Sequence, residues 1–148
     1  MGPMANWTLR QLQPSDIDAL IELWQRAGLP FKPEGRDTPT AIADQLAQPM
    51  AIYLGAFQDG ALIGAVLGTH DGRKGWINRL AVDPERRGQG VGRALVERVE
   101  ARLRAQGIEI VAALVEAWNE TSLEVFDALG YVRHPGIHYL SKRAHPDA

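Results

Sequence analysis

Hydrophobic spacing divides this chain into short alternating runs and longer runs of helical period. Trp7-Thr-Leu-Arg-Gln-Leu12 alternates apolar and polar positions and predicts a first strand. Pro14-Ser15-Asp16 predicts a helix start, with Ser15 as N-cap and Asp16 and Asp18 near the positive end. Ile17, Leu20, Ile21, Leu23 and Trp24 then share one face, and Gly28 is placed to end the helix. Leu29 to Pro39 holds three prolines and Gly35, and reads as a loop. Thr38-Pro39 looks like a cap followed by proline at the first helical position. A short helix over Thr40 to Ala47 follows, with Ile42 and Leu46 on one face and Pro49 as its stop.

Ala51 to Gln58, Ala61 to His70 and Arg73 to Val82 read as three strands. Asp59-Gly60 and Asp71-Gly72 are hairpin turns between them. Gly64 and Gly68 mark bulges or close approaches within the second of these strands. Val91, Leu95, Val99 and Leu103 form the stripe of a longer helix, ended by Gly107. Ile108 to Val115 is a buried-looking strand, parallel to its neighbour if that helix is a crossover. Asn119 opens a last helix with Leu123, Val125, Phe126 and Leu129 on its apolar face, and Gly130 ends it. Tyr131-Val132, a Pro135-Gly136 turn and Ile137 to Leu140 predict a closing hairpin. The expected order is β-α-α-β-β-β-α-β-α-β-β. That is an α/β (α+β) fold of four helices on a mixed, mostly antiparallel sheet of about seven strands.

Composition narrows the picture further. The 148 residues suit one domain, expected over 7–143, with flexible ends at 1–6 and 144–148. A net charge of −2 gives no basic field for nucleic acid. The absence of cysteine removes disulfides, thiol catalysis and thiolate metal sites. The four histidines are not spaced as a metal cluster, so no metal is expected. No apolar run is long enough to span a bilayer and no signal pattern opens the chain, so a cytoplasmic protein is expected.

The chemistry concentrates in Leu80 to Arg93, LAVDPERRGQGVGR. A strand, a glycine-rich turn and a helix start together favour a phosphorylated ligand, because free N–H groups and the helix dipole attract anionic oxygens. Gly88, Gly90 and Gly92 let the main chain turn sharply and approach a ligand closely. Arg86, Arg87 and Arg93 add positive charge. The turn lacks the Gly-Lys-Ser/Thr ending of a Walker loop and the G-x-G-x-x-G spacing of a dinucleotide fingerprint. It reads Arg-x-x-Gly-x-Gly at Arg87, Gly90 and Gly92. In this it resembles the pyrophosphate-binding motif of the GNAT N-acetyltransferases. A second segment, NETSLEVFDALGY over Asn119 to Tyr131, is similar to that family's later helix. The element order resembles the GNAT fold from Trp7 to Arg143.

The resemblance implies acetyl-CoA as donor and a primary amine as acceptor. It places the pantetheine arm on the main chain of Leu80, Ala81 and Val82. The pyrophosphate falls at Arg87, Gly88, Gln89, Gly90, Val91, Gly92 and Arg93, and Asn119 and Phe126 flank the arm. Trp24 to Asp37 falls on the acceptor side. Phe126 departs from the family, which often has tyrosine there to protonate the leaving thiolate. Tyr139 is a possible substitute, the alternative being a half-buried strand aromatic. Tyr131 fills the family's aromatic site after the glycine and reads as core. Candidate groups for deprotonating the amine are Glu116 and a water held by Asn78. Glu116 reads equally as a solvated carboxylate at a strand end, and Asn119 as a plain helix cap. The expected function is acetyl-CoA-dependent N-acetylation of a small-molecule or protein amine by direct attack in a ternary complex. A sensor that binds acetyl-CoA without catalysis is the alternative that Phe126 raises. A nucleotide-phosphate binder rests on the glycine turn alone. The acceptor is not named by any motif, and a homodimer is possible.

Overall fold

A computed structural model of the chain describes residues 6–148. Most of the N-terminal stretch expected to be flexible, residues 1–5 of 1–6, lies outside the described residues. The elements are β1 (Thr8–Gln11), α1 (Ile17–Ala27), α2 (Pro39–Leu46), β2 (Ile52–Gln58), β3 (Ala61–His70), β4 (Lys74–Val82), α3 (Val91–Ala105), β5 (Ile110–Ala113) and α4 (Glu120–Ala128). Single 3-10 turns at Pro14–Asp16 and Pro84–Arg86 precede α1 and α3. None of the helices described is long and apolar enough to cross a membrane.

The five strands form one sheet in the order β1-β2-β3-β4-β5. The first four are antiparallel, and β5 joins β4 in parallel after the α3 crossover. Strand alternation sends residues to two cores. Ile52, Leu54, Ile63, Val66 and Ile77 meet the apolar stripe of α3 together with Phe126 of α4. Tyr53, Leu62, Ala65, Leu67 and Ala81 meet α1 and Ile42 of α2 on the opposite face. Gly64 and Gly68 on β3 prove to be close approaches. A Cβ there would lie 2.6 Å from a Val91 methyl and 2.7 Å from a Val99 methyl, so α3 sits tight on the sheet.

Both expected helix caps hold where the side chain can reach back. The Thr38 hydroxyl accepts from Ala41 N at 3.1 Å, and the Asn119 side chain accepts from Ser122 N at 3.2 Å. Ser15 does not cap α1. It lies inside the 3-10 turn, and Asp16 does the anchoring, its carboxylate accepting from Gln13 N at 2.7 Å and from both Arg10 Nη atoms at 2.7 and 3.0 Å. Arg10 also lies over the Phe57 ring, 3.9 Å from its centre.

Among the described residues the sheet has five strands, not the seven or so expected. Tyr131-Val132 and Ile137 to Leu140 adopt no strand, although the Pro135-Gly136 turn forms. Alternation predicts a segment able to pair, but a strand exists only where a ladder is made. Pro135, in the turn between the two arms, offers no N–H to a ladder. Val132, Ile137, Tyr139 and Leu140 are all exposed.

β4 carries the irregularity that shapes the site. Leu67 opposes Asn78 and Ala65 opposes Ala81, so Val66 faces both Arg79 and Leu80. This is a β-bulge, and Arg79 takes a left-handed φ of 52° within it. On its other edge β4 pairs with β5 only from Lys74 to Ile77. Beyond Ile77 the two strands part.

The Arg10–Asp16 contact yields a pH test. Hydrogen bonding from Arg10 leads the causes that hold the Asp16 carboxyl below the usual carboxylate value, with the Gln13 amide adding to it and burial opposing. Its stabilisation is therefore complete above the unfolded value of ~3.9 and is lost as pH falls through the lower folded value. Asp16→Asn should lower stability at neutral pH by about 1–3 kcal/mol. In denaturant unfolding at several pH values, the gap to wild type should shrink below about pH 4. A gap that stays constant down to pH 2–3 would show that the ionised carboxylate is not its source.

Candidate active site

The parted ends of β4 and β5 open a cleft of about 580 Å³. Asn78 and Leu80 line one wall, and Leu114, Glu116, Asn119, Ser122 and Phe126 the other. Loop residues Leu29 to Asp37 and the cleft-facing Tyr53 close its far end. A smaller recess of about 20 Å³ continues it along Leu80, Ala81 and Val82 to Arg87. Leu29, Leu80, Asn119 and Ser122 border both spaces, so the two run together.

The main chain of β4 is exposed to this cleft for a geometric reason. Asp83 N donates to Ile63 O at 2.8 Å across the β3 side. Alternation along an antiparallel strand then turns the polar groups of Val82 and Leu80 to the opposite edge. β5 has already left that edge. The Ser122 hydroxyl is 3.5 Å from Leu80 O, too long for a firm O–H···O bond.

At the narrow end, Gly88 and Gly90 take φ values of 79° and 86°. These left-handed angles fold the turn back so that α3 begins at once. Gly90 occupies the cap position of α3, and no side chain caps that helix. Its first amides are thus free to meet an anion. Gly88, Gln89 and Gly90 are exposed, and Val91 takes part through its main chain alone, since its side chain is buried against β3. Gly92 is buried, with Val125 and Val82 methyls 3.3 and 3.4 Å from where a Cβ would stand. Arg87 lines the recess. The Arg93 side chain turns along the helix to Glu97, 2.7 Å away, so it is the least engaged of the group at this turn.

The catalytic candidates Asn78 and Glu116 come together as lining of the larger space. Glu116 is exposed and follows β5, with its carbonyl accepting from Asn119 N at 2.9 Å. Asn119 reads both ways, because its carbonyl oxygen caps α4 while the residue borders the cleft. Phe126 is buried, borders the cleft, and meets the Tyr131 ring edge-on at 4.9 Å between centres. Tyr131 points its hydroxyl away, donating to Glu100 at 2.9 Å, and burial followed by that carboxylate raises its pKa well above the ordinary phenol value. Tyr53 and Tyr139 do border the cleft. Burial raises the pKa of Tyr53, whose hydroxyl lies 3.4 Å from Gln45 Oε1.

Two residues that sequence reasoning passed over shape the wide end. Arg79, thrown out of the ladder by the bulge, lies over the Trp24 ring at 4.3 Å and donates to Pro30 O and Asp37 Oδ2 at 3.0 and 2.8 Å. Asp37, only 4% exposed, also accepts from Lys32 N at 2.7 Å. Burial is the main cause that lowers the pKa of Arg79, against the raising effect of Asp37. The one available signal was a lone arginine inside the apolar run Trp76 to Val82.

Known proteins share this fold. The structure is similar to the PaiA N-acetyltransferase of Thermoplasma acidophilum, solved in complex with coenzyme A, with 20% identity and a TM-score of 0.77 over 85% of this chain and 89% of that one. It is also similar to the ribosomal-protein-S18-alanine N-acetyltransferase of Escherichia coli, with 23% identity and a TM-score of 0.70 over 84% of this chain and 76% of that one. An aminoglycoside acetyltransferase from an uncultured soil metagenomic sample matches at 16% identity and a TM-score of 0.75, over 93% of this chain and 97% of that one. At such identities the likeness carries the fold. The family rests on a different finding: the model of the acetyltransferase (GNAT) family matches residues 17–131, a span that holds the bulged strand, the glycine turn and the Asn119 helix. The chain therefore belongs to the GNAT acetyltransferase family.

Proposed function

We propose that this protein transfers the acetyl group of acetyl-CoA to a primary amine by direct attack in a ternary complex. The observation that carries the reading is the strand edge left open beyond Ile77, running straight into the uncapped start of α3. Pantetheine is an extended chain with amide groups. It fits an unpaired strand edge as an added strand would, on the main chain of Leu80, Ala81 and Val82. The pyrophosphate then meets the amides of Gly88 to Arg93, with Arg87 beside it. Asn119 offers its side-chain NH₂ to the arm while its oxygen caps the helix. Phe126 packs against the thioester end.

The reaction asks for positioning more than for reactive side chains. The neutral amine attacks the thioester carbonyl, and a C–N bond forms as the carbonyl oxygen becomes an oxyanion. An N–H of the open β4 edge can receive that charge. The intermediate collapses, the C–S bond breaks, and the sulfur takes a proton. Alkyl thiols have a pKa near ~8.5, so the sulfur can leave without a dedicated acid, which suits phenylalanine at 126. Tyr139 borders the cleft and can assist, whereas Tyr131 is committed to Glu100. An alkylamine with pKa near ~10.4 must lose a proton before attack. Glu116 serves as the base, directly or through a water held by Asn78. Holding the two reactants together can supply about 7–11 kcal/mol in favourable cases.

Two measurements test these roles. Calorimetry should show that Gly90→Asp binds CoA about tenfold more weakly than Gly90→Asn, a difference of ~1.4 kcal/mol. Both variants carry the same left-handed strain, so the difference reads the charge alone. Equal affinities would move the pyrophosphate away from this turn. In a thiol-release assay, Glu116→Gln should lower kcat by about a hundredfold and leave CoA affinity unchanged. A variant as fast as wild type across the pH range would remove Glu116 as the base.

A further inference from the structure

The wide end of the cleft is strongly cationic in a chain whose net charge is −2. Lys32, Arg36, Arg79 and Arg143 line it with the carboxylates of Asp37 and Glu116, and Arg143 also donates to the main-chain oxygen of Ala148 at the chain end. Glu116 belongs to the opposite wall, after β5. Asp37 is left to serve two guanidinium groups. Arg79 Nη2 lies 2.8 Å and Arg36 Nε 3.6 Å from the same oxygen, Asp37 Oδ2. The second distance is too long for a hydrogen bond. Among the described residues, Arg36 Nε and Arg79 Nη1 are both buried without a hydrogen-bond partner. Buried donors are seldom left unpaired, so the two arginines beside Asp37 offer more N–H groups than that carboxylate satisfies.

Arg36 is also held in place in a manner that suits recognition. Gln45 Nε2 donates to its carbonyl at 3.2 Å, and Tyr53 OH in turn donates to Gln45 Oε1 at 3.4 Å. Its own N–H donates to Asp147 O at 3.2 Å. Both main-chain polar groups under this guanidinium are thus held, while its side chain, 36% exposed, lines the cleft.

The geometry points to an amine acceptor that carries a carboxylate, received by Arg36 with Lys32 beside it. A planar guanidinium matches a carboxylate in two parallel hydrogen bonds, and an ammonium adds a point charge. A polycationic acceptor would meet like charges at this end and is disfavoured. The inference rests on the acetyl-transfer reading for the word acceptor, but the anion site itself does not.

Calorimetry on the CoA-saturated protein provides the test, with N-acetyl amino acids and their carboxamides as matched probes. The carboxylate form should bind at least tenfold more tightly than its amide, and Arg36→Gln should bring that ratio to near one. Lys32→Gln, at a half-buried position on the loop, should lower the ratio by a smaller factor. A thiol-release assay with free amino acids, their amides, short peptides with an acidic second residue, and spermidine then reads the acceptor. Preference for free amino acids or for acidic peptides supports the inference and tells which source supplies the carboxylate. If the anion preference holds and no amine is acetylated, the transfer reading falls and the anion site stands. Equal binding of acids and amides, a preference for spermidine, or a loss in Arg36→Gln that falls on CoA itself would overturn the inference.

Discussion

A strand has two edges to satisfy, and β4 gives one of them up after Ile77. The cleft between β4 and β5 depends on that loss. Main-chain N–H and C=O groups withdrawn from a ladder carry a cost unless water or a ligand replaces the partner. The bulge at Arg79 and Leu80 twists β4 and turns its end away from β5. The groups at Leu80 and Val82 therefore face a groove, and the groove leads to a helix whose first amides no side chain covers. A ligand that is an amide chain at one end and a diphosphate at the other satisfies both.

The bulge has a second consequence. It expels one residue from the pleat, and that residue is Arg79. A charged side chain beneath a sheet requires partners. Trp24 supplies a ring face and Asp37 a carboxylate, which tie β4 to α1 and to the proline-rich loop before α2. The same device that opens the edge of β4 thus organises the wide end of the cleft. Because one carboxylate answers two arginines, that end retains positive charge.

Local chemistry was legible in the sequence, and long-range geometry was not. Thr38-Pro39 and Asn119 act within a few residues of themselves, so their caps could be read directly. The glycine turn was equally readable, because Gly88 and Gly90 adopt angles few other residues tolerate. Ser15 misled because Asp16 competed for the same turn with a stronger, charge-assisted bond to Arg10. The closing hairpin misled because alternation at Ile137 and Tyr139 describes a capacity to pair and says nothing of a partner. The register slip at Val66 depends on two strands at once, and no property of the run Trp76 to Val82 announces it. Asn119 and Phe126, read from a motif, and Asn78 and Glu116, named as candidate bases, do border one cleft, whereas Arg79 and Asp37 meet only through the fold.

The most direct measurement is a crystal structure with CoA bound. The account predicts pantetheine amides hydrogen-bonded to the main chain of Leu80 and Val82, with the diphosphate on the amides at the start of α3. Coenzyme found elsewhere, with the β4 edge beyond Ile77 closed by the protein's own residues, would contradict it.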